Sequence, residues 1–180
     1  HFSQIVLSSV VPPLTHTFCD MLSTQTGQDP ILVNCDVNTG LTFQVDNPSE
    51  VGADLIADAV AAYERFHAAC VVVDFGTATT FTAVSAQAEF LGVAIAPGVN
   101  LAASALAGGT AQLPQIALTP PPNAIGTNTI HALQSGIVFG YVGLINGMID
   151  RIHKELGQNA PVIATGGLSR LIAPLTDRFS

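Results

Sequence analysis

The stretch Val71-Val-Val-Asp-Phe-Gly-Thr-Ala-Thr-Thr80 constrains this chain more than any other. A β-branched run carries one carboxylate, Asp74, to the end of a strand, and a glycine and hydroxyl residues follow at once. A turn of this kind suits a phosphate chain and its cation. Gly76 lets backbone approach closely, Thr77, Thr79 and Thr80 supply hydroxyls, and Asp74 supplies a hard oxygen ligand. The same residues also suit a plain strand-end Asx turn capped by threonines, so the surrounding segments decide between the two.

Composition narrows the setting. With 48% hydrophobic and 10% charged residues, the 180-residue chain can bury a sizeable core as one large domain or two small ones. A net charge of −8 with only five Lys and Arg argues against nucleic acid, whose phosphates demand clustered cations. An enzyme handling anions on this chain would have to rely on backbone amides, helix N-termini and bound cations. No uninterrupted apolar run reaches the ~18–20 residues that span a bilayer, so no membrane partner is expected. The opening segment lacks a basic region and reads as a buried strand ending at Pro12, which makes a cytoplasmic location the expectation. Cys19, Cys35 and Cys70 lack metal-ligand spacing and read as reduced, mostly buried small hydrophobes. The five histidines show no ligand spacing either.

The apolar pattern predicts strands at 5–11, 31–34 and 41–45, with a helix over 14–26 stopped by Gly27. Pro48 introduces a helix over 51–66. Three strands joined by short turns follow at 71–74, 81–84 and 90–95, and Pro97-Gly98 opens a small-residue helix over 100–107. The prolines between 118 and 124 demand an extended loop. A long helical stretch covers 129–156, with a junction near Gly140 or Gly143. A strand at 161–164, a Thr165-Gly166-Gly167 turn and a helix from 168 complete the reading. The pattern alone gives a mixed α/β fold.

Four segments carry candidate chemistry. In Pro48-Ser-Glu-Val-Gly-Ala-Asp54, Gly52 permits close approach and Asp54 stands in the first turn of a helix. There it serves as a dipole-complementing residue or as a general base for a substrate hydroxyl. The second is the 71–80 turn. "Asp-Phe-Gly" resembles the protein-kinase metal motif, but no glycine loop or His-Arg-Asp loop accompanies it. The third, Leu91-Gly-Val-Ala-Ile-Ala-Pro-Gly98, runs a strand into a glycine-ended turn. The fourth pairs Ile125-Gly-Thr-Asn-Thr129, a helix start, with Ala164-Thr-Gly-Gly-Leu168, where adjacent glycines after a strand let backbone lie against a nucleotide base. Asp36-Val-Asn-Thr-Gly40 looks superficially like a phosphate loop but reads as an ordinary turn.

In this order the segments resemble the type III pantothenate kinase family. The likeness runs from Leu7-Ser-Ser-Val-Val-Pro12 through Val51-Gly-Ala-Asp54, Asp74–Thr80, Ile95-Ala-Pro-Gly98, Gly126-Thr-Asn-Thr129 and Gln134-Ser-Gly136 to Ala164-Thr-Gly-Gly167. It implies the actin-like, ribonuclease H-like ATPase fold, with residues 1–68 as an incomplete first lobe and 69–180 as the second. It implies ATP-dependent phosphorylation of pantothenate towards coenzyme A by a homodimer. Asp54 would be the base, with Gly52, Ala53, Leu55 and Thr129 around pantothenate. Gly76, Thr77, Gly98, Gly166 and Gly167 would attend ATP and its Mg²⁺, and Asp74 would bind a monovalent cation, potassium or ammonium.

Departures from the family accompany the likeness. Leu55 stands where the family has arginine, Thr82 where an aspartate is frequent, and Val45 where an aromatic is frequent. The family's opening Asp-x-Gly-Asn-Thr phosphate loop and its closing segment have no counterpart here, so the expectation is a chain truncated at both ends and a poor kinase by itself. A non-catalytic relative with a regulatory or interaction role is the alternative, favoured by Leu55 and opposed by Asp54, Asp74 and Thr129.

Overall fold

A computed structural model describes residues 2–109 and 113–180. Its first elements are small: β1 (Val6–Leu7) pairs in parallel with β2 (Ile31–Leu32), and helix α1 (Pro12–Thr26) joins them. β3 (Thr42–Phe43) precedes a single 3-10 turn at Pro48–Glu50 and helix α2 (Ala53–Phe66). Three longer strands follow, β4 (Cys70–Phe75), β5 (Ala78–Val84) and β6 (Glu89–Pro97), then helix α3 (Val99–Gly109). Helices α4 (Thr129–Gln134) and α5 (Gly140–Leu156), strand β7 (Val162–Thr165) and the short helix α6 (Ser169–Ile172) complete the order.

The main sheet has the order β3-β6-β5-β4-β7, with β4, β5 and β6 antiparallel and the two outer strands parallel to their neighbours. Side chains alternate between its faces as the pleat requires. Val71, Val73, Phe75 and Phe81 face α5, whose Tyr141, Ile145 and Ile149 recur at a four-residue spacing and are buried with them. Cys70, Val72, Val84 and Phe90 face the other way, against Ala59 and Ala62 of α2. Each fully buried branched or aromatic side chain contributes roughly 1.5–3 kcal/mol, so this two-sided sheet holds most of the fold's hydrophobic stabilisation.

Several expected elements change. The strands foreseen at 5–11, 31–34 and 41–45 shrink to two paired residues each, because a run with alternate positions exposed finds only a short partner. β3 pairs with β6, and Leu41, Phe43, Val45, Val51 and Leu55 pack against the α2 face of the sheet, so packing crosses residue 68. Of the cysteines only Cys70 is buried; Cys19 and Cys35 are half-exposed, which corrects the expectation of mostly buried thiols. The 129–156 stretch is one helix in which α4 passes through a π-helical turn, Ser135–Phe139, into α5 at Gly140, where the junction was expected. This helix is long and apolar enough to cross a membrane by length and composition, but one face of it is the core described above. The final helix is short, passing into a 3-10 turn at Ala173–Leu175.

Candidate functional site

The C-terminal end of β4 gathers the chemistry. The ladder aligns Asp74 with Thr80 on one side and Thr165 on the other, and Thr80 with Ile95. Laterally paired residues share a face of the sheet. Thr165, Asp74, Thr80 and Ile95 therefore form one transverse row on the face that α2 covers. α2 begins at this end, with Gly52 as its N-cap and Asp54 in its first turn. Ala53 is buried and Asp54 is exposed, its carboxylate accepting from the Leu55 backbone N–H at 2.9 Å. Gly52 stands at a close approach: a Cβ there would press on Asp54 and lie 3.5 Å from Val10.

A second acid on the same helix completes the cluster. Asp58, one turn beyond Asp54, is half-buried, and its carboxyl is pushed up to about 6, first by burial, then by the charges of Asp74 and Asp54. Asp74 is raised in the same way, by burial first and Asp54 second. None of the three meets a cation, since the ion pairs among the described residues are His16–Asp20 and Arg178–Asp150. The sequence reading missed Asp58. The signal available was its i, i+4 relation to Asp54, which places both on one helical face.

Two glycine turns wall the row. β4 and β5 are joined by the two-residue turn Gly76-Thr77, both exposed. Gly76 has no left-handed backbone; its missing side chain matters because a Cβ would lie 3.3 Å from Asp74 Oδ2. Gly98 is buried directly against this turn. Its N–H donates to the Thr77 carbonyl at 3.1 Å, and a Cβ would collide with the Gly76 and Thr77 carbonyl oxygens. Gly166, at φ +85°, lies against Asp74 and the Phe75 backbone, again too close for any side chain, while Gly167 beside it is open. Asp74, Gly76, Thr77, Gly98 and Gly166 thus meet at one sheet end.

Thr129 lies on another helix. It is the exposed first residue of α4, whose cap is Asn128, accepting from the His131 N–H at 2.9 Å. Among the described residues no hydrogen bond or ion pair joins Thr129 to the acid cluster. Gln134, buried, ties α4 to the extended segment by donating to the Ala117 carbonyl and to Thr119 Oγ1 at 3.0 and 2.8 Å. Leu55, at the position of the family's arginine, packs into the apolar cluster with Phe43, Val45 and Val51. The 36–40 stretch is an Asx turn, with Asn34 Oδ1 accepting from the Asp36 and Val37 N–H groups.

The donors suit hard cations. Thr80 Oγ1 is a buried hydroxyl with no partner among the described residues, on the same row as the Asp74 carboxylate. A carboxylate oxygen beside an unpartnered hydroxyl fits a monovalent cation or a hydrated Mg²⁺ shared with phosphate oxygens. No group of three or more acidic, histidine or cysteine side chains among the described residues forms a protein-only cage.

Comparison with known proteins places this arrangement. The family profile for type III pantothenate kinase matches residues 1–151. A type III pantothenate kinase of Roseiflexus castenholzii is 47% identical over 180 residues, all of this chain and 71% of the relative. One of Thermomicrobium roseum is 51% identical over 176 residues, 98% of this chain and 68% of the relative. Among solved structures, a conserved Baf family protein of Campylobacter jejuni superposes with a TM-score of 0.64 at 22% identity, covering 99% of this chain and 75% of its own; at that identity the likeness concerns the fold. This chain belongs to the type III pantothenate kinase family.

Proposed function

We propose that this protein transfers the γ-phosphoryl group of ATP to the primary alcohol of pantothenate, a step in coenzyme A biosynthesis. The observation that carries the reading is the nearness of Asp54 to Asp74, whose carboxylate borders the Gly76 turn and Gly166, within a chain close to half identical to type III pantothenate kinases. Asp54 is exposed and has no ion-pair partner among the described residues, as suits a base that must reach a bound alcohol. The alcohol oxygen attacks the γ-phosphorus, its proton passes to the Asp54 carboxylate, and the bond to the bridging β-oxygen breaks to release ADP. Phosphoryl transfer depends mainly on positioning and electrostatics. Here Thr77 and the Gly76 turn attend the phosphates, and Gly98, Gly166 and the open Gly167 lie by the adenosine.

Bound Mg²⁺ and a monovalent cation, potassium or ammonium, supply the positive charge that five basic residues in the whole chain do not. Asp74, with Thr80 beside it, is the residue that would hold the monovalent ion. Ala53 and Gly52 shape the base's pocket, and Thr129 contacts pantothenate. The two-lobed actin-like arrangement, with lobes at 1–68 and 69–180, a homodimer and a cytoplasmic location complete the reading.

Leu55 favours one competing reading, a non-catalytic relative, because an apolar side chain cannot replace a guanidinium's paired hydrogen bonds. One experiment separates them. The protein, expressed from its complete open reading frame, is incubated with ATP, Mg²⁺, potassium and pantothenate, and 4'-phosphopantothenate is followed by mass spectrometry. Product that requires potassium supports the kinase. Pantothenate binding without product, unchanged in Leu55→Arg, supports the non-catalytic reading.

A further inference from the structure

The transverse row that ends the sheet finishes on an apolar residue. Ile95 shares its face with Thr80, Asp74 and Thr165 and is 68% exposed. Val93, two residues earlier on β6 and paired with Thr82, faces the same way and is 38% exposed. The ladder is regular here; its irregularity lies beyond, between Ala83 and Val84. Since β3 pairs only with Glu89 and Phe90, the sheet stops at β6 over this stretch. A strand spacing of about 4.8 Å sets Ile95 about 10 Å from Asp74, across Thr80. That gap spans a hydrogen bond from the carboxylates to an alcohol, the branched carbon next to it, and the contact of that carbon's methyl groups with Ile95.

The same face elsewhere is covered. Cys70, Val72, Val84 and Phe90 lie under α2, so the apolar surface left open is the part that borders the acids. Single exposed apolar side chains are common on proteins. Two on one face, aligned with a polar row, make a ledge: among the described residues Thr80 Oγ1 has no hydrogen-bond partner and Asp74 has no ion-pair partner. Polar atoms at one end and a branched hydrocarbon at the other match a substrate with an alcohol next to a quaternary carbon. Pantothenate carries two methyl groups on the carbon that bears its reacting CH₂OH.

We propose that Ile95, with Val93 behind it, is a specificity-determining residue that packs against the branched carbon beside the alcohol to be phosphorylated. This rests on the kinase reading and adds to it the part of the substrate that β6 recognises. The contact is with the acceptor substrate, so its loss alters acceptor discrimination more than ATP use. An apolar contact of one or two methyl groups is worth roughly ten-fold in discrimination.

The test compares pantothenate with an analogue lacking the two methyl groups, using wild type, Ile95→Ala and Ile95→Val expressed from the complete reading frame. The wild type is expected to prefer pantothenate in kcat/KM. Ile95→Ala should shrink that preference about five- to ten-fold through the acceptor KM, with the KM for ATP changed less, and Ile95→Val should restore most of it. A purely structural role would lower turnover of both acceptors and leave their ratio alone. An unchanged ratio in Ile95→Ala overturns the ledge while leaving the kinase standing, as does loss of a dimer in that variant with the ratio intact, which would make β6 an edge that pairs with a second copy. Turnover of neither acceptor by the wild type overturns the kinase reading and the ledge together.

Discussion

The two ends of this molecule use similar residues to opposite effect. The segment before Gly52 has a parallel strand pair and a 15-residue helix, yet none of its described residues is buried. Leu14, Phe18 and Met21 of α1 remain exposed at helical spacing. The five-stranded sheet, by contrast, buries Val71, Val73, Phe75, Phe81, Ile145 and Ile149 to within 1% of complete. What separates them is partnership, since one hairpin-sized pair cannot bury a face whereas a sheet with helices on both sides can. The candidate site lies at the border of the well-packed part, where the end of β4 and the first turns of α2 bring three carboxylates near one another.

The comparison can be broken most strongly at the chemistry. Asp54→Asn should lower kcat for pantothenate phosphorylation about 10²–10⁴-fold with a KM within a few-fold of wild type, measured by initial rates. A smaller loss would remove Asp54 from the base's role. Next comes the packed layer: Ile145→Ala should cost about 2–5 kcal/mol in denaturant unfolding. Gly166→Ala is expected to cost about 1–3 kcal/mol, because φ +85° and the nearby Asp74 and Phe75 leave no room, and to raise the KM for ATP.

Asp58 gives a smaller effect with a definite sign. Its carboxyl moves from an ordinary 3.8 to about 6 in the fold, so the native state binds more protons between those values. This contribution to stability is therefore full below pH 4, falls as pH rises towards 6, and is level above. Asp58→Asn should flatten that slope and stabilise the protein at pH 7 by about 1 kcal/mol after allowing for solvent screening, a rise of about 2–4 °C in thermal midpoint. The least effect is expected at the open end. Leu14→Ser, at 51% exposure, should change stability by no more than about 0.5 kcal/mol. A loss as large as that of Ile145→Ala would show that α1 is packed in solution.

Much of this was legible beforehand, and the failures have physical causes. The run Val71–Val73 announced a strand, and those foreseen at 81–84 and 90–95 appear as Ala78–Val84 and Glu89–Pro97, paired antiparallel because short turns bring consecutive strands side by side. Asp74 and Gly76 were visible as a turn, though what glycine supplies there is room beside Asp74, 3.3 Å from where a Cβ would stand, rather than a left-handed backbone angle. β3 was misjudged in length because its partner, β6, lies far along the chain and only two residues meet it. Asp58 carried no motif, for an aspartate at i+4 on a helix is commonplace until another strand brings a charge against it. Ile95 was read only as part of a glycine-ended strand, since its exposure depends on where the sheet stops.

The residues alone thus determined the family, the strand that presents Asp74 and the glycines that the turns require, because these follow from local sterics and from residue types at fixed spacings. Tertiary structure alone decided that Asp54, Asp58 and Asp74 share one region, that Gly98 and Gly166 close on the Gly76 turn, and that Leu55 turns into an apolar cluster. Charge proximity, desolvation and exposure are properties of elements packed together, and no single stretch of chain contains them.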